Sequence, residues 1–239
     1  MKNLLDKELH LSAAKLSYFF LASALLTFLP GYPILLGGFF TALGIFYSFQ
    51  AMRENRDIDY SLLLPVSKAD IVKGKFAFCV FMELCSFLIM TVVTIIRMTA
   101  LKDSAVYRAN ALMGANLVFL GYALILFGLF NFCFLRGFFK TGYYFGKPFV
   151  LFCVCAFLLI TAAEVLFHVP GLGVLNSFGT ENLGVQLLCL GIGIACYVLL
   201  TLVSLKSSIR SFEKIDLRYR IKKAQFPYGV DFFLPIRKI

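Results

Sequence analysis

Apolar residues along this chain gather into six runs, Leu11–Leu29, Ile34–Met52, Phe76–Ile96, Ala111–Leu135, Pro148–Phe167 and Leu183–Leu205. Each is close to the ~20 residues that a helix needs to cross ~30 Å of hydrocarbon. Backbone polar groups find no water inside a bilayer, so runs of this length read as helices. The pattern predicts an all-α polytopic membrane protein with six transmembrane helices. Between the first two runs stands Pro30-Gly31-Tyr32-Pro33, where proline stops one helix, glycine permits the reversal and the second proline suits the next first turn. Ahead of the first run, Leu5, Leu9, Ala13 and Leu16 share one helical face, which predicts an interfacial helix over residues 1–16. Ala22-Ser23-Ala24 imitates a signal-peptide cleavage site. It lies in mid-run with a second run close behind, so the reading is an uncleaved first helix.

Charge changes this picture by giving it a direction. With six crossings drawn, one side of the membrane holds only Arg97, Lys102 and Arg108 of the 23 Lys and Arg residues. The other side holds the rest, so both termini and the segment 53–75 are expected in the cytoplasm. The chain has 239 residues, of which 60% are hydrophobic and 15% charged, against about 25% charged in soluble domains. The length fits one transmembrane domain over 1–217, followed by 218–239 as a basic cytoplasmic tail or an appended extension. The net charge of +10 does not point to nucleic acid. The basic residues flank apolar spans, where anionic lipid head groups hold each with about 1 kcal/mol.

Seven cysteines all lie inside apolar runs, form no C-x-x-C pair and read as packing residues. Gly114, Gly121 and Gly128 recur at sevens on one helical face, and Gly184, Gly191 and Ala195 form a second such face. Both are expected to make close helix contacts, within the chain or with a second copy. The stretch Val169–Asn182 is apolar for a loop and could dip into the outer leaflet if protein shields its backbone.

The longest segment between runs on the basic side carries the functional expectation. Over residues 53–64, charged positions occupy one part of a helix and Ile58, Leu62 and Leu63 another. Pro65 ends that helix. Ser67 then stands three residues before Asp70, the spacing of a cap that starts a new helix. The predicted geometry is a short helix along the membrane surface, a turn and a re-entry. A solvated loop whose charges only set topology is the plain alternative.

The string ENRDIDYSLLLPVSKADIVKGKF resembles the segment between the second and third spans in permease subunits of ABC-2-type ABC transporters. There, an Asp/Asn-rich stretch precedes LLPVSR-x-x-IV-x-GK. Leu63, Leu64, Pro65, Val66, Ser67, Ile71, Val72, Gly74 and Lys75 match, and Lys68 replaces the usual Arg. The ending Phe212-Glu213-Lys214-Ile215-Asp216-Leu217 is similar to the family's F-E-K-x-D-L. Within the family the chain looks like small stand-alone permeases of Gram-positive peptide exporters, including the phenol-soluble modulin type.

The resemblance implies that Arg53–Leu64 is a coupling helix that docks on a separate nucleotide-binding ATPase subunit. Arg53, Glu54, Asn55, Arg56, Asp57, Asp59, Tyr60, Leu64, Pro65 and Ser67 are then the contact candidates. The chain holds no G-x-x-x-x-G-K-[ST], so ATP and Mg are expected in the partner and no cofactor in this chain. A second permease copy or a sister permease, together with membrane lipids, completes the expected partners.

Charges within the runs are the remaining candidates. Glu83 lies roughly 12 Å past Lys75 at 1.5 Å per residue. A charge at that depth costs at least ~2.5–3.5 kcal/mol, so it faces protein or water. Glu83 and Asn131 are therefore candidates for a substrate path, with interhelical hydrogen bonding as the alternative for each. Arg97 and Glu164, at similar depth near the outer face, are expected to pair. His10 and His168 stand alone, with no second ligand at metal spacing. No G-x-S-x-G or H-E-x-x-H occurs, and no second Asp-rich loop completes a metal–diphosphate site, so no enzyme is expected. The reading is the permease of an ATP-driven exporter in a bacterial cell membrane, moving an amphipathic peptide or lipid-like molecule. The alternatives are a sensor or assembly factor holding a soluble partner through residues 53–75, and a secondary transporter.

Overall fold

The computed structural model describes residues 8, 15–57, 60–61, 66–141 and 144–215. Among them the chain is helical, with no strand. Most of the lead-in helix over 1–16 and all of the tail 218–239 lie outside the described residues.

The first helix, α1 (Lys15–Leu21), tightens into a 3₁₀ stretch, Ala22–Phe28. Hydroxyls inside that stretch bond back to the carbonyl three residues earlier, Ser23 Oγ to Phe20 O of α1 at 2.5 Å and Thr27 Oγ1 to Ala24 O at 2.8 Å. Gly31 makes the reversal at φ +71°, a left-handed conformation that glycine adopts without a Cβ clash. Helix α2 (Leu36–Glu54) returns against α1. The two approach closely because Gly37 and Gly44 leave room: a Cβ at Gly44 would lie 2.6 Å from Phe20 Cβ. Ser17 Oγ uses that proximity to donate to Gly44 O at 2.5 Å.

Helix α3 (Lys68–Thr99) is followed by the short α4 (Ala105–Arg108). Helix α5 (Leu117–Phe130) continues through a π-helical turn, Asn131–Leu135, into α6 (Arg136–Thr141). Helix α7 (Gly146–Leu166), a 3₁₀ turn at Gly173–Asn176 and α8 (Leu183–Glu213) complete the described chain. Four stretches, Lys68–Thr99, Leu117–Thr141, Gly146–Leu166 and Leu183–Glu213, are long and apolar enough to cross a membrane. Leu16–Phe28 is a shorter apolar stretch beside them.

The stretch Leu117–Thr141 is the central one. Its apolar window is 72% buried, against 17% for those of α7 and α8, which show apolar side chains outward. Apolar burial gives helices little reason to associate in lipid, so close backbone approach holds α5 to α8. Gly121 and Gly193 face one another there, and a Cβ on Gly193 would fall 2.5 Å from Gly121 O. Gly128 meets Tyr197 and Leu200 of α8, and Gly114 meets Asn176. Gly184 and Gly191 behave differently, since nothing lies within 4 Å of a Cβ at either. Of the two predicted small-residue faces, the first packs inside the chain and the second is open.

Phenylalanines lock one end of the bundle. Phe49 of α2 meets Phe134 at 5.3 Å and Phe138 at 5.0 Å, edge to face, and Phe139 meets Phe212 of α8 at 5.5 Å. Edge-to-face pairs add about 0.5–1.5 kcal/mol each beyond their buried area. This end also holds Arg53–Asp57, the start of α3 and the close of α8. The Pro30–Pro33 reversal, α4 and Gly173–Asn176 lie at the opposite end.

Candidate functional site

The chain changes direction directly after α2. The helix ends at Glu54 with Asn55 as its C-cap, and Arg56 takes a left-handed φ of 51°. Helical bonding resumes beyond it, with Tyr60 N donating to Arg56 O at 3.1 Å. The single surface helix expected over Arg53–Leu64 is thereby corrected. Arg53 and Glu54 belong to the last turn of α2, and the left-handed step at Arg56 redirects the chain. Asp59, Leu64 and Pro65, with Ile58, Leu62 and Leu63, lie outside the described residues.

The described contact candidates divide by exposure. Glu54, Asn55 and Arg56 face solvent, and the Tyr60 ring is 60% exposed. Arg53 is exposed too and lies 4.9 Å over the Phe145 ring. Asp57 turns inward to the ammonium of Lys75, so it is committed within the chain. Ser67 caps α3 as its spacing from Asp70 predicts: Oγ accepts from Asp70 N at 3.1 Å and donates to Asp70 Oδ2 at 2.6 Å.

Two lysines of α3 fasten this segment. Lys75 is fully buried and pairs with both Asp57 and the equally buried Glu8. Lys68 Nζ donates to Ile215 O at 2.8 Å and Glu213 O at 3.4 Å, the carbonyls that close α8. Those carbonyls have no partner within the helix and carry its negative dipole end, so a cation is favoured there. Both segments that carry the sequence resemblance therefore meet at one end of the bundle.

Deeper in the bundle, Glu83 and Asn131 are brought together. Asn131 Nδ2 donates to Glu83 Oε2 at 3.0 Å and to Thr201 Oγ1 at 3.0 Å. Tyr197 OH also donates to Glu83 Oε2, at 2.7 Å. Ser204 Oγ donates to Asn131 O at 2.5 Å, beside the backbone bond that this carbonyl accepts from Arg136 N in the π turn. Glu83 is 1% exposed and Asn131 0%. In this conformation the cluster ties α3, the π turn and α8 together.

The expected pair between Arg97 and Glu164 is a further correction, because among the described residues they form no ion pair. Arg97 Nη1 donates to Thr27 O at 2.7 Å and its guanidinium lies 4.3 Å over the Tyr107 ring. Glu164 Oε2 accepts from Met113 N at 2.8 Å. Similar depth did not bring them together, since the 3₁₀ stretch Ala22–Phe28 and α4 supply the partners of Arg97.

Two residues absent from the sequence reading organise the far end. Asn116 caps α5 through Phe119 N at 2.9 Å and donates to Leu175 O at 3.0 Å and Ser177 O at 3.3 Å. Gln186 accepts from Leu117 N at 3.2 Å and donates to Glu181 O at 2.7 Å and Gly179 O at 3.2 Å. Together they satisfy backbone groups of the irregular stretch 169–182. The only local signal is Asn116 itself, a capping residue inside the run Ala111–Leu135 and directly ahead of its unbroken apolar part from Leu117.

Four helices long and apolar enough to cross a membrane, with polar residues fastened at one end of the bundle, mark a multi-pass membrane protein. The family model described as ABC-2 family transporter protein matches residues 3–213, and the chain belongs to that family as an ABC-2 type permease. Such a permease is the membrane component of an ABC transporter, which implies an ATPase partner. No curated protein and no solved structure matches the chain.

Proposed function

We propose that this chain crosses the cell membrane six times, the α1–α2 hairpin supplying two crossings, with both termini and residues 53–75 in the cytoplasm. The positive-inside asymmetry supports that orientation. A separate ATPase subunit docks on the exposed surface formed by Glu54, Asn55, Arg56 and Tyr60. ATP binding and hydrolysis there drive the bundle between inward and outward access. The permease works as an exporter of an amphipathic peptide or lipid-like molecule, a substrate class and direction supported by the resemblance of the 53–75 and 212–217 motifs. Glu83 and Asn131 come to face the path when the helices part. A second copy, or a sister permease, packs on the open face of α8, where Gly184, Gly191 and Ala195 are exposed.

The observation that carries the reading is Tyr60, held 60% exposed on a segment whose neighbour Asp57 is anchored to buried Lys75. A large ring kept in solvent on a braced support is suited to a protein contact. The test is affinity purification of the tagged full chain from its native membrane. A co-purifying phosphate-loop ATPase is expected, lost on combined Glu54→Lys and Tyr60→Ala substitution while the variant still inserts. Retention of the ATPase by that variant rejects the docking surface. Capture only of a partner without a phosphate loop favours the sensor or assembly-factor alternative.

A further inference from the structure

We infer that Lys68 and Lys75 are positioning residues that clamp the docking segment to Glu8 and to the close of α8, so that its displacement moves the N-terminal segment and the last helix together with α3. The inference rests on the docking reading above and specifies how that surface acts.

The two lysines stand seven residues apart, close to two helical turns, and so project from one face of α3. Lys75 is buried to 0% exposure, whereas a lysine that only sets topology extends its ammonium to water. It holds one carboxylate 18 positions before it, Asp57, and one 67 positions before it, Glu8. With Glu8 1% exposed and the Asp57 side chain 12% exposed, these attractions act in a weakly screening interior. The pairs thus join the docking segment, the N-terminal segment and α3 at one point. Lys68 makes the second joint, on the carbonyls of Glu213 and Ile215 at the close of α8.

A further tie lies higher on the same helix. Glu83, two turns beyond Lys75, accepts from Tyr197 of α8 at 2.7 Å. Helices α3 and α8 are therefore fastened at two heights and turn as one body. A push on Tyr60 from below reaches α8 through Lys68 and the N-terminal segment through Lys75.

The experiment uses the full chain in complex with its co-purified ATPase in nanodiscs, with MgATP plus vanadate as the probe and hydrogen exchange as the readout. In the unmodified complex, nucleotide is expected to change exchange in residues 15–35 and 200–215 as well as in 53–75. Glu8→Ala leaves the Lys75–Asp57 pair in place. It is expected to keep the ATPase bound and the response in 53–75, and to lose the response in 15–35. Lys68→Met is expected to lose the response in 200–215, and Lys75→Arg to retain all three. Wild-type responses in both Glu8→Ala and Lys68→Met overturn the clamp and leave the docking reading intact. Absence of a bound ATPase from the unmodified chain overturns the docking reading, and the clamp's role falls with it.

Discussion

Glu83 and Tyr197, 114 residues apart in sequence, meet in the buried centre of the bundle with 2.7 Å between Oε2 and the phenol oxygen. The contact joins α3 to α8 and, with Asn131, ties both to the π turn that continues the central helix. Three helices thus share one polar cluster in otherwise apolar surroundings.

Removing the phenol hydroxyl tests how much this cluster holds. Tyr197→Phe deletes one donor and leaves the ring to fill its space. Hydrogen bonds between membrane helices average about 0.6 kcal/mol and reach about 1.7, and a buried acceptor left unmatched adds to the loss. We expect a loss of about 1–2 kcal/mol, read as earlier thermal unfolding in detergent. Glu83→Ala is expected to cost more, because Asn131 and Tyr197 both lose their acceptor.

The glycines divide into two classes with opposite expected signs. Gly121→Ala and Gly193→Ala each push a Cβ into facing backbone, at 2.7 and 2.5 Å, which costs about 1–3 kcal/mol or more. Gly191→Ala meets nothing within 4 Å and removes a poor helix former, so it is neutral or stabilising by up to about 1 kcal/mol. Unfolding of the monomeric chain measures both. Gly191→Leu additionally tests the proposed second copy, whose close approach it blocks, through the oligomeric mass in detergent.

Asn116→Ala removes the cap of α5 and both ties to the 169–182 stretch. A lost cap costs about 0.5–2 kcal/mol, and the freed carbonyls of Leu175 and Ser177 add to it. The expected signature is faster hydrogen exchange confined to 111–117 and 173–179, with the 53–75 end unchanged. Uniform exchange across the bundle would contradict the local role.

Tyr60 and Asp57 are expected to separate contact from support. Tyr60→Ala removes an exposed ring, so the isolated chain keeps its stability within about 0.5 kcal/mol while the ATPase is lost on purification. Asp57→Ala breaks one arm of a buried ion cluster, so the isolated chain itself becomes less stable. Thermal unfolding without the partner, beside retention of the partner, distinguishes the two.

Local chemistry made much of this protein legible from its residues alone. Runs of about twenty apolar residues define helices because a bilayer leaves the backbone no other choice. Gly31 at φ +71° and the Ser67–Asp70 cap form within a few residues, so their signals are readable in order along the chain. The motif around Pro65 and the ending after Phe212 carried the family, which the match over 3–213 bears out.

Tertiary structure decided which charges are spoken for. Lys75 and Asp57 read alike as loop charges until helix crossing buries one against the other, and Arg97 and Glu164 share a depth yet find different partners. Asn131 meets Glu83 of α3 and Thr201 of α8 only because the packing of three helices brings the π turn between them. Such partners depend on the distances and rotations between helices far apart in sequence, which neither periodicity nor run length encodes. That is why the class of protein was readable in a line of residues, and the joints through which it would move were not.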